Sequence, residues 1–168
     1  MIDRHCCYIK EQYFIDHPGY QKMLDPGNTR KQSQRTHICV QVSIDENVFY
    51  IPLRNRLGGA IRKFGRIGFP VPSQSRPDAG LDFRYTMVIN DSSYIEPHTS
   101  QKLPNSQYTV ITNNYDEIKR LFADYLKGYK KASVKRRIAK EPLYRESCLI
   151  NFHAELGLKD GVHQRHNA

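Results

Sequence analysis

The clearest alternating pattern in the chain runs from Thr36 to Ile44. Ile38, Val40, Val42 and Ile44 fall on one face, and His37, Cys39, Gln41 and Ser43 on the other. A period of two carried by β-branched residues predicts a half-buried strand. Asp45-Glu46-Asn47 is polar and turn-forming, and Val48-Phe49-Tyr50-Ile51 is a second strand. The pair reads as a hairpin with a three-residue connection, Asp45 to Asn47. Pro52 cannot donate to a ladder and is expected to end or edge the second strand. The residues that enter the first strand of an antiparallel hairpin lie beside those that leave the second. The run from Arg30 and Lys31 to Arg35 is therefore expected to meet Leu53-Arg54-Asn55-Arg56 at one edge of a sheet.

Other elements follow from the same patterning. Arg4 to Ile9 reads as a short first strand, followed by a mixed polar and aromatic stretch that contains Tyr13. Leu81 to Ile89 begins by alternating and ends as an apolar run, which predicts a strand buried on both faces in its second half. Tyr94-Ile95 is expected to pair briefly, and Tyr108 to Ile111 favours a strand. Asn114 to Ala139 is the longest predicted helix. Asn114 and Glu117 fit a capping box, and Ile118, Leu121, Phe122, Tyr125 and Tyr129 mark one apolar face. A shorter helix is predicted over Glu146 to Leu156, stopped by Gly157. Between Arg54 and Pro77 the texture changes to a long cationic stretch. It contains Gly58, Gly59, Gly65 and Gly68, and reads as a partly mobile loop. Phe64, Ile67, Phe69 and Val71 make it too apolar for a pure linker.

Composition narrows the partners. The chain has 168 residues, which suits one domain, and 26 Lys plus Arg against 17 Asp plus Glu give +9. That balance points to a polyanion, either nucleic acid or an anionic membrane surface. The 11 Tyr and 7 Phe among these cations suit RNA, whose unpaired bases stack on aromatic rings. The first residues carry charge and no apolar run, so the expectation is a cytoplasmic protein with no signal peptide or membrane span. Cys6, Cys7, Cys39 and Cys148 show no C-x-x-C spacing and are expected to be reduced thiols rather than metal ligands. No metal or cofactor is expected.

No P-loop, G-x-S-x-G or H-E-x-x-H motif is present. The 17 acidic residues are thinly spread, which argues against two-metal nuclease chemistry with its convergent carboxylates. Metal-independent transesterification remains, in which RNA supplies the 2′-OH nucleophile. The protein must then move two protons and hold positive charge on the phosphoryl oxygens. Arg35, Arg54 and Asn55 can supply the last, since Arg binds phosphate bidentately and stays protonated. His37, Tyr13 and Tyr108 are the proton-transfer candidates, and His37 has the most suitable unperturbed pKa. Lys31, Arg56, Arg62, Lys63, Arg66 and also Tyr108 are candidates for binding flanking RNA. So are Lys130, Lys131, Lys135, Arg136 and Arg137 at the cationic end of the long helix, where an exposed solubilising surface is the competing reading.

Three stretches together carry a resemblance: Val-Phe-Tyr-Ile-Pro-Leu-Arg-Asn at 48–55, Gly-Leu-Asp-Phe-Arg-Tyr-Thr-Met-Val-Ile-Asn-Asp at 80–91, and the cationic helix. The chain resembles the endoribonuclease toxins of type III toxin–antitoxin systems, in the TenpN-like branch of the ToxN/AbiQ superfamily. The similarity spans most of the chain and is strongest at Phe49–Asn55, Leu81–Asp91 and Cys148–Phe152. It implies an α+β fold: a compact single domain over 1–158, with a twisted, mainly antiparallel sheet flanked by helices, similar to the Kid and MazF toxins. Residues 159–168 would form a tail. It also implies RNA cleavage to a 2′,3′-cyclic phosphate and inhibition by a bound, repeat-derived antitoxin RNA, often a pseudoknot. An RNA-bridged oligomer and a role in abortive phage defence belong to the same picture. ToxN-like toxins carry an aromatic near the end of strand one, a Lys before strand two and a Thr-Ser pair after Pro-Leu. Here Tyr13, Arg35 and Arg54-Asn55 occupy those places. The rival readings are a non-catalytic RNA-binding module and a protein-interaction domain whose basic surface is incidental.

Overall fold

The computed structural model describes residues 5–24, 27–28, 30, 38–57, 61, 63, 65–97 and 103–159. Its centre is the expected hairpin. Strand β2 is Cys39–Ile44 and β3 is Asn47–Arg54. Their register runs from Ile44↔Asn47 to Cys39↔Pro52, so two residues, Asp45 and Glu46, make the turn, not three. Asp45 supplies the positive φ, +54°, that a tight hairpin turn needs.

Pro52 does not end its own strand. The Leu53 N–H donates to Ile38 O at 3.0 Å, so Pro52 occupies a pair position where no ladder bond to β2 is needed. Its nitrogen points to the other neighbour. There β5 (Gly80–Asp82) pairs Leu53↔Leu81 and Arg54↔Gly80, and continuing that register would set Asp82 against Pro52. The ladder stops at that point. Asp82 Oδ1 accepts instead from the Arg84 N–H, and the chain turns through a 3₁₀ segment, Phe83–Tyr85. The strand predicted over Leu81 to Ile89 is thus two short strands, β5 and β6 (Met87–Val88), separated by an Asp-initiated turn.

The remaining strands are β1 (Cys6–Ile9), β4 (Gly68–Pro70) and β7 (Ile95–Pro97). The seven-stranded sheet runs β4-β5-β3-β2-β1-β7, with β6 also on β3, and every pairing is antiparallel. The described part of the cationic stretch after Arg54 is built into the fold. Leu57, Ile67 and Val71 are buried, and β4 lies on β5. Its close approach depends on glycine: a Cβ at Gly80 would sit 2.6 Å from Phe69 O and 2.7 Å from Leu57 Cδ2.

Helix α1 spans Glu11–Asp16, α2 Asn105–Asn113 and α3 Tyr115–Val134. Tyr108 therefore sits in a helix, not a strand. Asn114 is the joint between α2 and α3, and its Nδ2 donates to Val110 O at 2.7 Å instead of capping a free helix end. Glu117 pairs with Arg120, so the capping box does not form. The predicted apolar face is otherwise present: Ile118, Phe122, Tyr125 and Tyr129 are buried, and Leu121 is partly so. Phe122 meets Phe49 at 5.1 Å and Phe83 at 5.6 Å, which lays α3 across the sheet. α3 ends five residues before Ala139. Arg136 takes φ +56°, and the Arg136 and Arg137 N–H groups close back on Ser133 O and Ala132 O. That is a Schellman stop with Arg where Gly is usual.

The predicted C-terminal helix is instead a 3₁₀ segment, Cys148–Asn151, followed by turns, and Gly157, expected as the helix stop, takes φ +69° at the end of those turns. This segment clasps the chain after α1. Asn151 exchanges hydrogen bonds of 2.7 Å with Gln21, and the Cys148 thiol donates to Lys22 O at 3.0 Å. Cys6, Cys7, Cys39 and Cys148 are all buried. Among the described residues no helix is long and apolar enough to cross a membrane.

Candidate phosphate-binding site

The break in the sheet at Asp82 creates a cluster of charge. Asp82 has 0% side-chain exposure, Arg84 13% and Arg54 30%. Arg84 grips the carboxylate with two guanidinium bonds, Nε to Oδ1 at 3.0 Å and Nη2 to Oδ2 at 2.9 Å, and its backbone N–H reaches Oδ1 at 3.1 Å. Arg54, the last residue of β3, donates Nη1 to Oδ2 at 3.0 Å. Both guanidiniums also lie over the Tyr85 ring, at 4.9 Å for Arg54 and 5.4 Å for Arg84.

Two cations share one anion, so the cluster carries a net positive charge. Burial works against the charge of Arg84, but the hydrogen bonds and negative charge of Asp82 outweigh it and hold the guanidinium above its ordinary pKa. Burial pushes the Tyr85 phenol up, and the Arg84 and Arg54 charges pull it partly back. Arg54 is the more open of the two arginines, and a guanidinium so placed can offer further donors to an anion. Asn55 and Arg56, which follow it, are exposed.

The segment after α1 reaches the same neighbourhood. Phe14, Met23, Leu24, Tyr85, Met87 and Cys148 line a small recess, which shares Tyr85 with the arginine cluster. Tyr13, next to Phe14, is buried against His17 and Tyr94 at ring distances of 4.5 Å and 5.2 Å. Burial pushes its phenol far above the ordinary value. That environment keeps the Tyr13 phenol protonated and, at 3% exposure, away from solvent. Burial likewise pushes the Cys148 thiol up and keeps it protonated.

The other candidates scatter. Tyr108 is half-buried in α2, beside Gln107, whose amide donates to Val71 O at 2.7 Å. Lys63 and Arg66 are exposed on the stretch leading to β4. Lys130 is half-buried, while Lys131, Lys135, Arg136 and Arg137 are exposed at and beyond the end of α3, with Arg137 partly engaged by Glu141 at 3.1 Å. Lys31, Arg35, His37 and Arg62 lie outside the described residues. The Ile38–Leu53 hydrogen bond does place the described start of the first hairpin strand beside the residue that precedes Arg54. Among the described residues no group of three or more His, Cys, Asp or Glu is placed to hold a metal ion.

Sequence reasoning missed Asp82, Arg84 and Tyr85. The two charges stood inside an apparent strand, and only the 3₁₀ turn over Phe83–Tyr85 folds Arg84 back onto Asp82.

No family model matches the chain, and no curated protein is significantly similar to it. Among solved structures it matches AbiQ, a lactococcal anti-phage endoribonuclease belonging to the type-III toxin–antitoxin system. The TM-score is 0.54 at 13% identity, over 74% of this chain and 81% of that one. The shared property is the fold: an α+β domain built on an antiparallel sheet with the same architecture as AbiQ.

Proposed function

We propose that this chain is an endoribonuclease toxin of a type III toxin–antitoxin system, of the TenpN-like kind. It cleaves RNA without metal or cofactor, leaving a 2′,3′-cyclic phosphate and a 5′-OH. The observation that carries this reading is the placement, on an AbiQ-like fold, of a net-positive arginine cluster where β3 ends. Arg54, assisted by Asn55, grips the phosphoryl oxygens of the scissile link. Arg35, three residues before Ile38 in the sequence, stabilises the charge that develops there, and His37 is the proton acceptor. Tyr13 is the second proton-transfer candidate, with its phenol buried and protonated. Lys31, Arg56, Arg62, Lys63 and Arg66, together with the basic group from Lys130 to Arg137, hold flanking backbone.

The inhibitor in this reading is a directly bound antitoxin RNA, cut from a repeat transcript and folded as a pseudoknot. It competes for the same cationic surface and can bridge copies into an RNA-linked assembly in the cytoplasm. The test is to incubate the purified protein with RNA in EDTA and identify the ends. Cyclic phosphate and 5′-OH termini are expected. RNA that is bound but intact would make the chain a binding module. No retention of RNA at low salt would leave a protein-interaction domain.

A further inference from the structure

Among the described residues Asp82 is the one carboxylate that is fully buried. It is also saturated. A carboxylate offers about four acceptor sites, and Asp82 receives four hydrogen bonds, three from Arg84 and one from Arg54. The Arg84 bonds alone satisfy the charge: they form a closed, bidentate pair with the backbone N–H added. The Arg54 bond has another effect. With Nη1 fixed on Oδ2 and its plane over Tyr85, Arg54 is held in one pose on the strand end. An arginine at 30% exposure without such a hold would sample many rotamers.

We infer that Asp82 is a positioning residue of the cleavage site. It fixes Arg54 in the pose that receives the phosphate, and Arg84 serves as its counter-charge rather than as a second phosphate ligand. This rests on the endoribonuclease reading above. It has an unusual consequence. Asp82 places a negative charge close to the RNA, so it weakens binding while it speeds reaction.

Asp82→Asn separates the two effects. Binding is measured on an oligoribonucleotide made uncleavable by 2′-O-methylation, and cleavage on the unmodified strand in single turnover. The variant is expected to bind as tightly as wild type or more tightly. Its salt slope should steepen by up to roughly the −0.7 of one single-strand contact. It should cleave about a hundredfold more slowly, the scale of an ångström misplacement at a reacting centre. A purely structural role would lower binding and cleavage together, in step with the folded fraction.

Because the single variant leaves a buried guanidinium unpaired, the double variant Asp82→Asn with Arg84→Gln is measured beside it. There an amide pair replaces the ion pair and the net charge equals that of wild type. Affinity should then match wild type while cleavage stays slow. Wild-type cleavage per folded molecule in either variant would overturn the inference. So would a proportional fall of binding and cleavage, or failure of both variants to fold. A wild-type chain that binds the RNA and never cuts it would instead strike the endoribonuclease reading, a result visible before any variant is made.

Discussion

Replacing Arg54 by Ala removes the guanidinium assigned to the scissile phosphate. Its cost to the fold can be bounded. Asp82 loses one of its four hydrogen bonds and keeps the three from Arg84. A hydrogen bond to a charged group contributes about 1.5–3 kcal/mol, and the partial exposure of Arg54 places this one near the lower end, at roughly 1–2 kcal/mol. For a chain of this size that lowers the melting temperature by roughly 2–8 °C. Removing a preorganised donor from a developing oxyanion costs about a hundredfold to a thousandfold in rate. Arg54→Ala should therefore remain folded at working temperature, yet lose nearly all cleavage and, in cells, all growth inhibition. The assay pairs a thermal melt with single-turnover cleavage of one RNA. Cleavage within a few-fold of wild type in a folded variant would refute the assignment of Arg54. A rate loss that tracked the unfolded fraction would refute it equally.

Gly80→Ala should lower stability by about 1–3 kcal/mol, since the new methyl meets the Phe69 carbonyl and Leu57 Cδ2; a melt unchanged from wild type would mean that β4 is not held on β5. Burial raises the phenols of Tyr13, Tyr50 and Tyr125. The unfolded chain releases those protons near pH 10, at about the ordinary tyrosine value, while the folded chain keeps them. Stability from these groups should therefore be flat below that pH and fall above it. Tyrosinate absorbance that developed for all 11 tyrosines without unfolding would contradict the burial. If about six cations contact single-stranded phosphates, log affinity for RNA should fall against log salt with a slope of roughly −4. A flat response would remove the backbone role of Lys63, Arg66 and the group from Lys130 to Arg137.

What the sequence disclosed depended on how local each signal was. The alternation at Ile38, Val40 and Val42 identified β2 because burial of one sheet face writes itself directly into a period of two. The face of α3 was equally plain, since Ile118, Phe122, Tyr125 and Tyr129 recur at helical spacing and all are buried. Caps and stops were harder. Asn114 carries the chemistry of an N-cap, but α2 already supplies the turn before it, so its side chain bonds backwards to Val110. Nothing local marks Arg136 as the left-handed residue that ends α3. The break at Asp82 was hidden because its cause is Pro52, thirty residues away, and only the register of β3 on β5 brings the two face to face. The site followed the same rule. Arg54 was recognisable from its place after Pro-Leu, whereas its partners Asp82 and Arg84 became visible only once the strand containing them was seen to turn.

In the proposed function Arg54 activates a phosphate attacked by the RNA's own 2′-OH. That attack is tested by a single-atom change in the substrate. In EDTA, an RNA with one 2′-deoxy nucleotide at the mapped cleavage position should be bound with unchanged affinity and left uncut there, while the all-ribose strand is cleaved to a cyclic phosphate. Cleavage of the deoxy-substituted link at the ordinary rate would show that water is the nucleophile, and the account would fail.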